Sequence, residues 1–127
     1  MGYGILIIED ETVLAKKMAK FLQQRGFEVR ITDNGHDGLE SIASFQPDAV
    51  ILDFNLPGEL NGLEVLERLR TLDSSIKVIM ITGQGNVRLA VDAMKAGAFD
   101  YLSKPIVLSE LKLLLDRSIG QRRTEGQ

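Results

Sequence analysis

The chain has 127 residues, a net charge of −3, 44% hydrophobic and 26% charged residues, and no cysteine. This length suits one domain with one core, and the composition excludes a disordered chain. The acidic balance offers no basic surface for nucleic acid, and the lack of cysteine excludes disulfides, thiolate metal sites and thiol catalysis. No apolar run approaches the roughly 20 residues that cross a bilayer. Residues 1–8 lack the basic start and long apolar stretch of a signal peptide. A cytoplasmic domain that contacts neither membrane nor DNA is the expectation.

Five short apolar runs are read as strands, with helical spacing between them. Ile5 to Ile8 runs into Glu9 and Asp10. Val13, Leu14, Met18, Phe21 and Leu22 then mark a helix interrupted by Lys17, with Gly26 as its stop. The second run, around Val29 and Ile31, ends without a reactive group, and Gly38 to Phe45 is a helix closing before Pro47. Ala49 to Leu52 runs into Asp53, and Leu63, Leu66, Leu69 and Leu72 mark the third helix. Val78 to Ile81 runs into Thr82, followed by a helix through Val87, Ala90, Val91 and Met94 that Gly97 ends. Phe99 to Leu102 leads to Ser103, Lys104 and Pro105. A last helix starts at an N-cap at Ser109 and runs through Leu111, Leu114, Leu115 and Ile119. Residues 1–119 form the expected domain, and 120–127 are read as a polar tail or the start of a linker to an output domain.

Continuous rather than alternating runs indicate strands covered on both faces. Strand and helix alternate five times, which predicts an α/β fold: a five-stranded parallel sheet, doubly wound as (βα)5, of flavodoxin-like type. In such sheets ligands bind beyond the carboxyl ends of the strands. Glu9, Asp10, Asp53, Thr82 and Lys104 then converge. Clustered carboxylates repel one another and call for a counter-ion. Mg²⁺ is the natural choice, because it takes a few carboxylate oxygens and keeps waters that a phosphate can replace. Asp53 is also a candidate nucleophile toward phosphorus, with Lys104 as a point charge on the transferring group and the Thr82 hydroxyl as a donor. Each residue has a plainer reading. The acids could be solvated strand ends, Thr82 a helix cap, Lys104 a surface lysine and Tyr101 simple packing.

The segments Ile7-Ile-Glu-Asp-Glu11, Leu52-Asp-Phe-Asn-Leu-Pro-Gly58, Thr82-Gly-Gln-Gly85 and Gly97-Ala-Phe-Asp-Tyr-Leu-Ser-Lys-Pro105 together resemble the receiver domain of two-component response regulators. The resemblance implies that Asp53 accepts a phosphoryl group from the phosphohistidine of a sensor histidine kinase or phosphotransfer protein. It makes Asp10, Asp53 and the backbone carbonyl of Asn55 the Mg²⁺ ligands, with Glu9 acting through water. Thr82 and Lys104 contact the phosphoryl oxygens, and Tyr101 is the switch aromatic. Independently of the resemblance, the X-Pro bond before Pro105 is expected to fix the geometry of the loop after Lys104. The domain is then a switch rather than an enzyme, with a phosphorylation-dependent homodimer through the fourth helix, fifth strand and fifth helix. Residues 81–98 resemble receivers of the nitrogen-regulation, sigma-54-dependent type, which implies transcriptional output.

Three details depart from the family pattern or tune it. The loop Pro57 to Gly62 is one residue longer than usual, which is expected to alter kinase docking or loop mobility. Glu9 stands where aspartate is more usual. Asn55 and Gln84 occupy positions that influence phosphoryl-group lifetime. A haloacid dehalogenase-type phosphatase would need a second aspartate where Asn55 stands, and a cap domain. A flavodoxin-like carrier would need a glycine- and hydroxyl-rich phosphate loop where the acids stand. The intact acidic set, with Thr82 and Lys104, argues against a module that is never phosphorylated.

Overall fold

The computed structural model describes residues 2–83 and 85–125, with side chains described through 121. Its elements are β1 (Gly4–Ile8), α1 (Thr12–Gln23), β2 (Glu28–Thr32), α2 (Gly35–Phe45), β3 (Ala49–Asp53), α3 (Gly62–Leu72), β4 (Lys77–Thr82), α4 (Val87–Lys95), β5 (Asp100–Ser103) and α5 (Leu108–Glu125). The strands form one parallel sheet in the order β2-β1-β3-β4-β5. This is the doubly wound arrangement that the alternation predicted.

The apolar runs are continuous because both sheet faces are covered. Ile5, Ile7, Ala49, Ile51, Ile79 and Ile81 face α1 and α5, where they meet Met18, Leu22, Leu111 and Leu115. The alternate residues Leu6, Ile8, Val50, Leu52, Val78 and Met80 face α2, α3 and α4, where they meet Ile42, Val65, Leu66 and Leu69. This is the period-two side-chain alternation of a strand, with a core on each side. The edge strands β2 and β5 are less covered; β5 alternates in burial, whereas Arg30 and Ile31 of β2 are both exposed. Leu66 is fully buried in the second core, so Leu66→Ala is expected to cost about 2–5 kcal/mol. Urea melts would show this as a lowered midpoint at unchanged slope. A loss below about 1 kcal/mol would mean that this face repacks freely.

Helix faces differ from the apolar stripes. On α1 the buried set is Ala15, Met18, Ala19 and Leu22, while Val13 is 83% exposed. On α3 the buried set includes Val65, Leu66 and Leu69, and Leu72 is 62% exposed. α4 packs through Ala90 and Ala93, leaving Val87, Val91 and Met94 exposed. Small residues let a helix lie close to a sheet, so on α4 alanines rather than the bulkier side chains set the buried face. α2 begins at Gly35, before the expected Gly38, because Asn34 caps it by accepting from the Asp37 N–H at 2.9 Å. Ser109 lies inside the first turn of α5 instead of capping it, as the N–H groups of Glu110 and Leu111 donate to the Val107 carbonyl. α5 also runs past Ile119 to Glu125, so the polar residues from Gly120 continue the helix.

The crossovers place the carboxyl ends of β1, β3, β4 and β5 along one edge. The chain turns there in a small space. Gly62 opens α3 with its N–H on the Phe54 carbonyl at 2.9 Å. Asn61 and Glu64 form a reciprocal capping box. The long loop before them turns through Gly58, whose φ is +91°.

Candidate functional site

Asp53 closes β3 and is 2% exposed. The Asn55 N–H donates to its Oδ1 at 3.0 Å, and the Phe54 N–H continues the sheet by donating to the Ile81 carbonyl. Glu9 follows β1 and is 1% exposed, its N–H on the Thr32 carbonyl at 3.0 Å. Its Oε2 accepts from the Glu11 N–H at 3.0 Å, whereas Oε1 has no hydrogen-bond partner. Lys104, just beyond β5, reaches across these acids. Its Nζ lies 3.0 Å from Asp53 Oδ2, 3.3 Å from Glu9 Oε1 and 2.5 Å from Glu11 Oε2. The 3.3 Å approach to Glu9 is an ion-pair distance without hydrogen-bond alignment. Thr82 closes β4 and is buried, and its carbonyl accepts the Lys104 backbone N–H at 2.9 Å. The Lys104–Pro105 peptide is cis.

Burial pushes the Glu9 carboxyl up to about 8, helped by the neighbouring Asp53 carboxylate. The Glu11 N–H and Lys104 oppose that rise. Burial also works against the Lys104 ammonium, yet its hydrogen bonds to Glu11 and Asp53 leave its pKa raised. One cation therefore serves a group of acids that it does not fully neutralise.

Carboxylate oxygens of Glu9, Asp10 and Asp53 lie within 4.8 Å of one another, with Asp10 exposed and the other two buried. An all-oxygen, anionic donor set fits a hard divalent cation. The unpartnered Oε1 of Glu9 and its reluctance to ionise are what such a cation would relieve. A carboxyl with a folded-state pKa above its ordinary value stabilises the fold fully below that ordinary value, 4.5, and loses this contribution as pH rises through about 8. The metal-free unfolding midpoint in urea is therefore expected to fall between about pH 5 and 8.5, with MgCl₂ restoring most of the loss and Glu9→Gln flattening the profile. A metal-free midpoint that rises across this window would show that Glu9 is ionised in the fold.

The structure thus brings together Glu9, Asp10, Asp53 and Lys104, joins Thr82 to them through the Lys104 main chain, and ties Asn55 to Asp53 through its N–H. Tyr101 stands apart, 39% exposed on β5. Gln84 lies outside the described residues. Glu11 was missed as a site residue. The signal was a third consecutive acid after the first strand, opposite a lysine already assigned to the site.

The sequence matches the response regulator receiver domain family over residues 5–116. It is 35% identical over 115 residues to the regulatory protein AtoC of Escherichia coli K12, covering 91% of this chain and 25% of AtoC. It is 33% identical over 124 residues to the nitrogen assimilation regulatory protein NtrX of Azorhizobium caulinodans, covering 97% and 27%. It is 39% identical over 123 residues to the uncharacterized transcriptional regulatory protein YkoG of Bacillus subtilis, covering 97% and 54%. The chain therefore spans between about a quarter and just over half of these relatives. Among solved structures, a receiver domain protein from Clostridium thermocellum has a TM-score of 0.90 at 30% identity, covering 96% of this chain and 98% of that one. NtrX from Brucella abortus reaches 0.93 at 31% identity, covering 98% and 28%. With the strand order and the acidic pocket agreeing with that match, the chain belongs to the response regulator receiver domain family.

Proposed function

We propose that this domain is a phosphorylation switch that accepts a phosphoryl group on Asp53 from the phosphohistidine of a sensor histidine kinase or phosphotransfer protein. The observation that carries this reading is the buried Asp53 carboxylate, held at Oδ1 by the Asn55 N–H and paired at Oδ2 with Lys104 at 3.0 Å. Oδ2 is the attacking atom. A bond forms from it to phosphorus as the bond from phosphorus to the donor imidazole breaks, the electron pair leaving with the imidazole. Asp10, Asp53 and the Asn55 carbonyl would hold Mg²⁺, with Glu9 outside the direct ligands. The ion supplies positive charge to the oxygens of the transferring group. Lys104, paired with Asp53 before the reaction, neutralises negative charge on the phosphoryl oxygens as they arrive, and the Thr82 hydroxyl donates to a phosphoryl oxygen.

Where the carboxylate carried a single negative charge, an aspartyl phosphate places roughly −1.5 to −2 of charge on the phosphoryl oxygens, beside Thr82 and Lys104. Both are drawn toward it, and Tyr101 turns inward as Thr82 moves. The affected surface is α4, β5 and α5, where Val87, Val91, Met94 and Tyr101 are exposed. An apolar patch of this kind suits a phosphorylation-dependent homodimer. The names of the relatives favour transcriptional output, and the long loop through Gly58 favours a kinase fit particular to this chain. Among the described residues no helix is long and apolar enough to cross a membrane.

The test is intact-mass spectrometry after incubation with acetyl phosphate, with and without Mg²⁺, followed by peptide mapping. The expected result is a Mg²⁺-dependent, hydroxylamine-labile single-phosphate gain on the peptide carrying Asp53. No gain from acetyl phosphate or from a phosphorylated kinase would exclude the reading.

A further inference from the structure

The nearest partner of Lys104 is Glu11, at 2.5 Å, closer than Asp53 at 3.0 Å. Glu11 occupies the N-cap position of α1, yet its side chain makes no cap hydrogen bond. Its carboxylate serves Lys104 instead of the helix. The Glu11 N–H is tied to Glu9 Oε2 at 3.0 Å, which fixes the backbone against the buried site. The side chain itself is 58% exposed, at the solvent side of the lysine.

We infer that Glu11 is a positioning residue that holds Lys104 in the unmodified state and competes with the phosphoryl group for its ammonium, so that it limits how readily Asp53 is phosphorylated. This rests on the reading of Asp53 as the phosphoacceptor. Lys104 has three N–H donors, and the shortest contact they make is to Glu11. A phosphoryl group on Asp53 needs that cation more than the bare carboxylate does, because it brings more negative charge. The Glu11 charge also stands where an anionic donor enters from solvent, and so repels it.

With acetyl phosphate, an Asp53 oxygen bonds to phosphorus as the bond from phosphorus to the acetyl oxygen breaks, and acetate leaves with the electron pair. Glu11 contributes no proton and no electron to this step. It acts only on where the ammonium sits and on the local potential. Removing its charge while keeping its shape should therefore speed the reaction, and salt should erase the difference.

The test compares initial rates of phosphate incorporation from acetyl phosphate, at saturating Mg²⁺, for the wild type and Glu11→Gln. The variant is expected to react about three- to tenfold faster at about 50 mM salt, with the ratio falling below about twofold at about 500 mM. A purely structural role for Glu11 would not show that salt dependence. If the wild type is phosphorylated on Asp53 but Glu11→Gln reacts at the same rate or more slowly, or its gain is independent of salt, the inference falls and the Asp53 reading stands. A wild type inert to both acetyl phosphate and a phosphorylated kinase would overturn that reading, and this inference with it.

Discussion

Asp53→Asn is expected to lower phosphate incorporation from acetyl phosphate by more than about a thousandfold while leaving the domain folded. The carboxamide has the shape of the carboxylate, and its oxygen can still accept the Asn55 N–H that now bonds Oδ1 at 3.0 Å. It has no anionic oxygen to attack phosphorus, and it removes one acid from the group around the cation site. Lys104 keeps its bond to Glu11, so the loop beyond β5 retains its anchor. The Glu9 carboxyl loses the influence of the Asp53 carboxylate that helps raise its pKa, while burial, the larger cause, continues to hold it up. The unfolding midpoint should therefore stay close to wild type while incorporation disappears. Phosphate retained by the variant would place the nucleophile elsewhere, with exposed Asp10 the first residue to test.

The second large effect falls on a residue with no side chain. Gly62→Ala would place a Cβ 2.3 Å from the Asp53 carbonyl oxygen, 2.6 Å from Phe54 Cα and 2.9 Å from the Phe54 carbonyl oxygen. All three are backbone atoms at the end of β3, so no rotamer change relieves the clash. Nor can α3 simply withdraw. Gly62 is held by its hydrogen bond to Phe54, and Val65, Leu66 and Leu69 are packed into the second core. A loss of about 2–4 kcal/mol is expected, through overpacking and displaced helix contacts. Gly58→Ala provides the contrast. Its Cβ meets no described atom within 4 Å, and only the left-handed φ of +91° opposes it, at a cost of about 1–2 kcal/mol. Urea melts of both variants would separate the two causes. A Gly62→Ala protein as stable as the wild type would mean that the end of β3 yields without resistance.

The fold was legible because buried strands of a parallel sheet must be apolar on both faces, and because each run stops at a turn or a charge. The edge strand through Val29 and Ile31 was the faintest for the same reason, being covered less. The site was legible because strand ends in one sheet share an edge, so Glu9, Asp53, Thr82 and Lys104 could be gathered without coordinates. Helix faces were harder to read. A stripe such as Val87, Val91 and Met94 has the right spacing for burial, yet Ala90 and Ala93 take the sheet side of α4, because close approach favours small residues. The end of α5 was hidden by composition. Gln, Arg and Glu are good helix formers despite their polarity, and the helix continues through Gly120. Glu11 was passed over because its role depends on the direction of one flexible lysine, which spacing does not encode.

Thr82 ends β4 and Lys104 follows β5, and their side chains carry different chemistry, but a single main-chain bond from the Lys104 N–H to the Thr82 carbonyl clamps the two segments together at their roots. They form one jaw rather than two fingers. A pull on the hydroxyl from one side of the pocket also drags the stem of the ammonium, and strain entering at either residue reaches the other before any side chain has to rearrange. An isotope label on the Lys104 amide would therefore sense events on β4 as directly as events on β5.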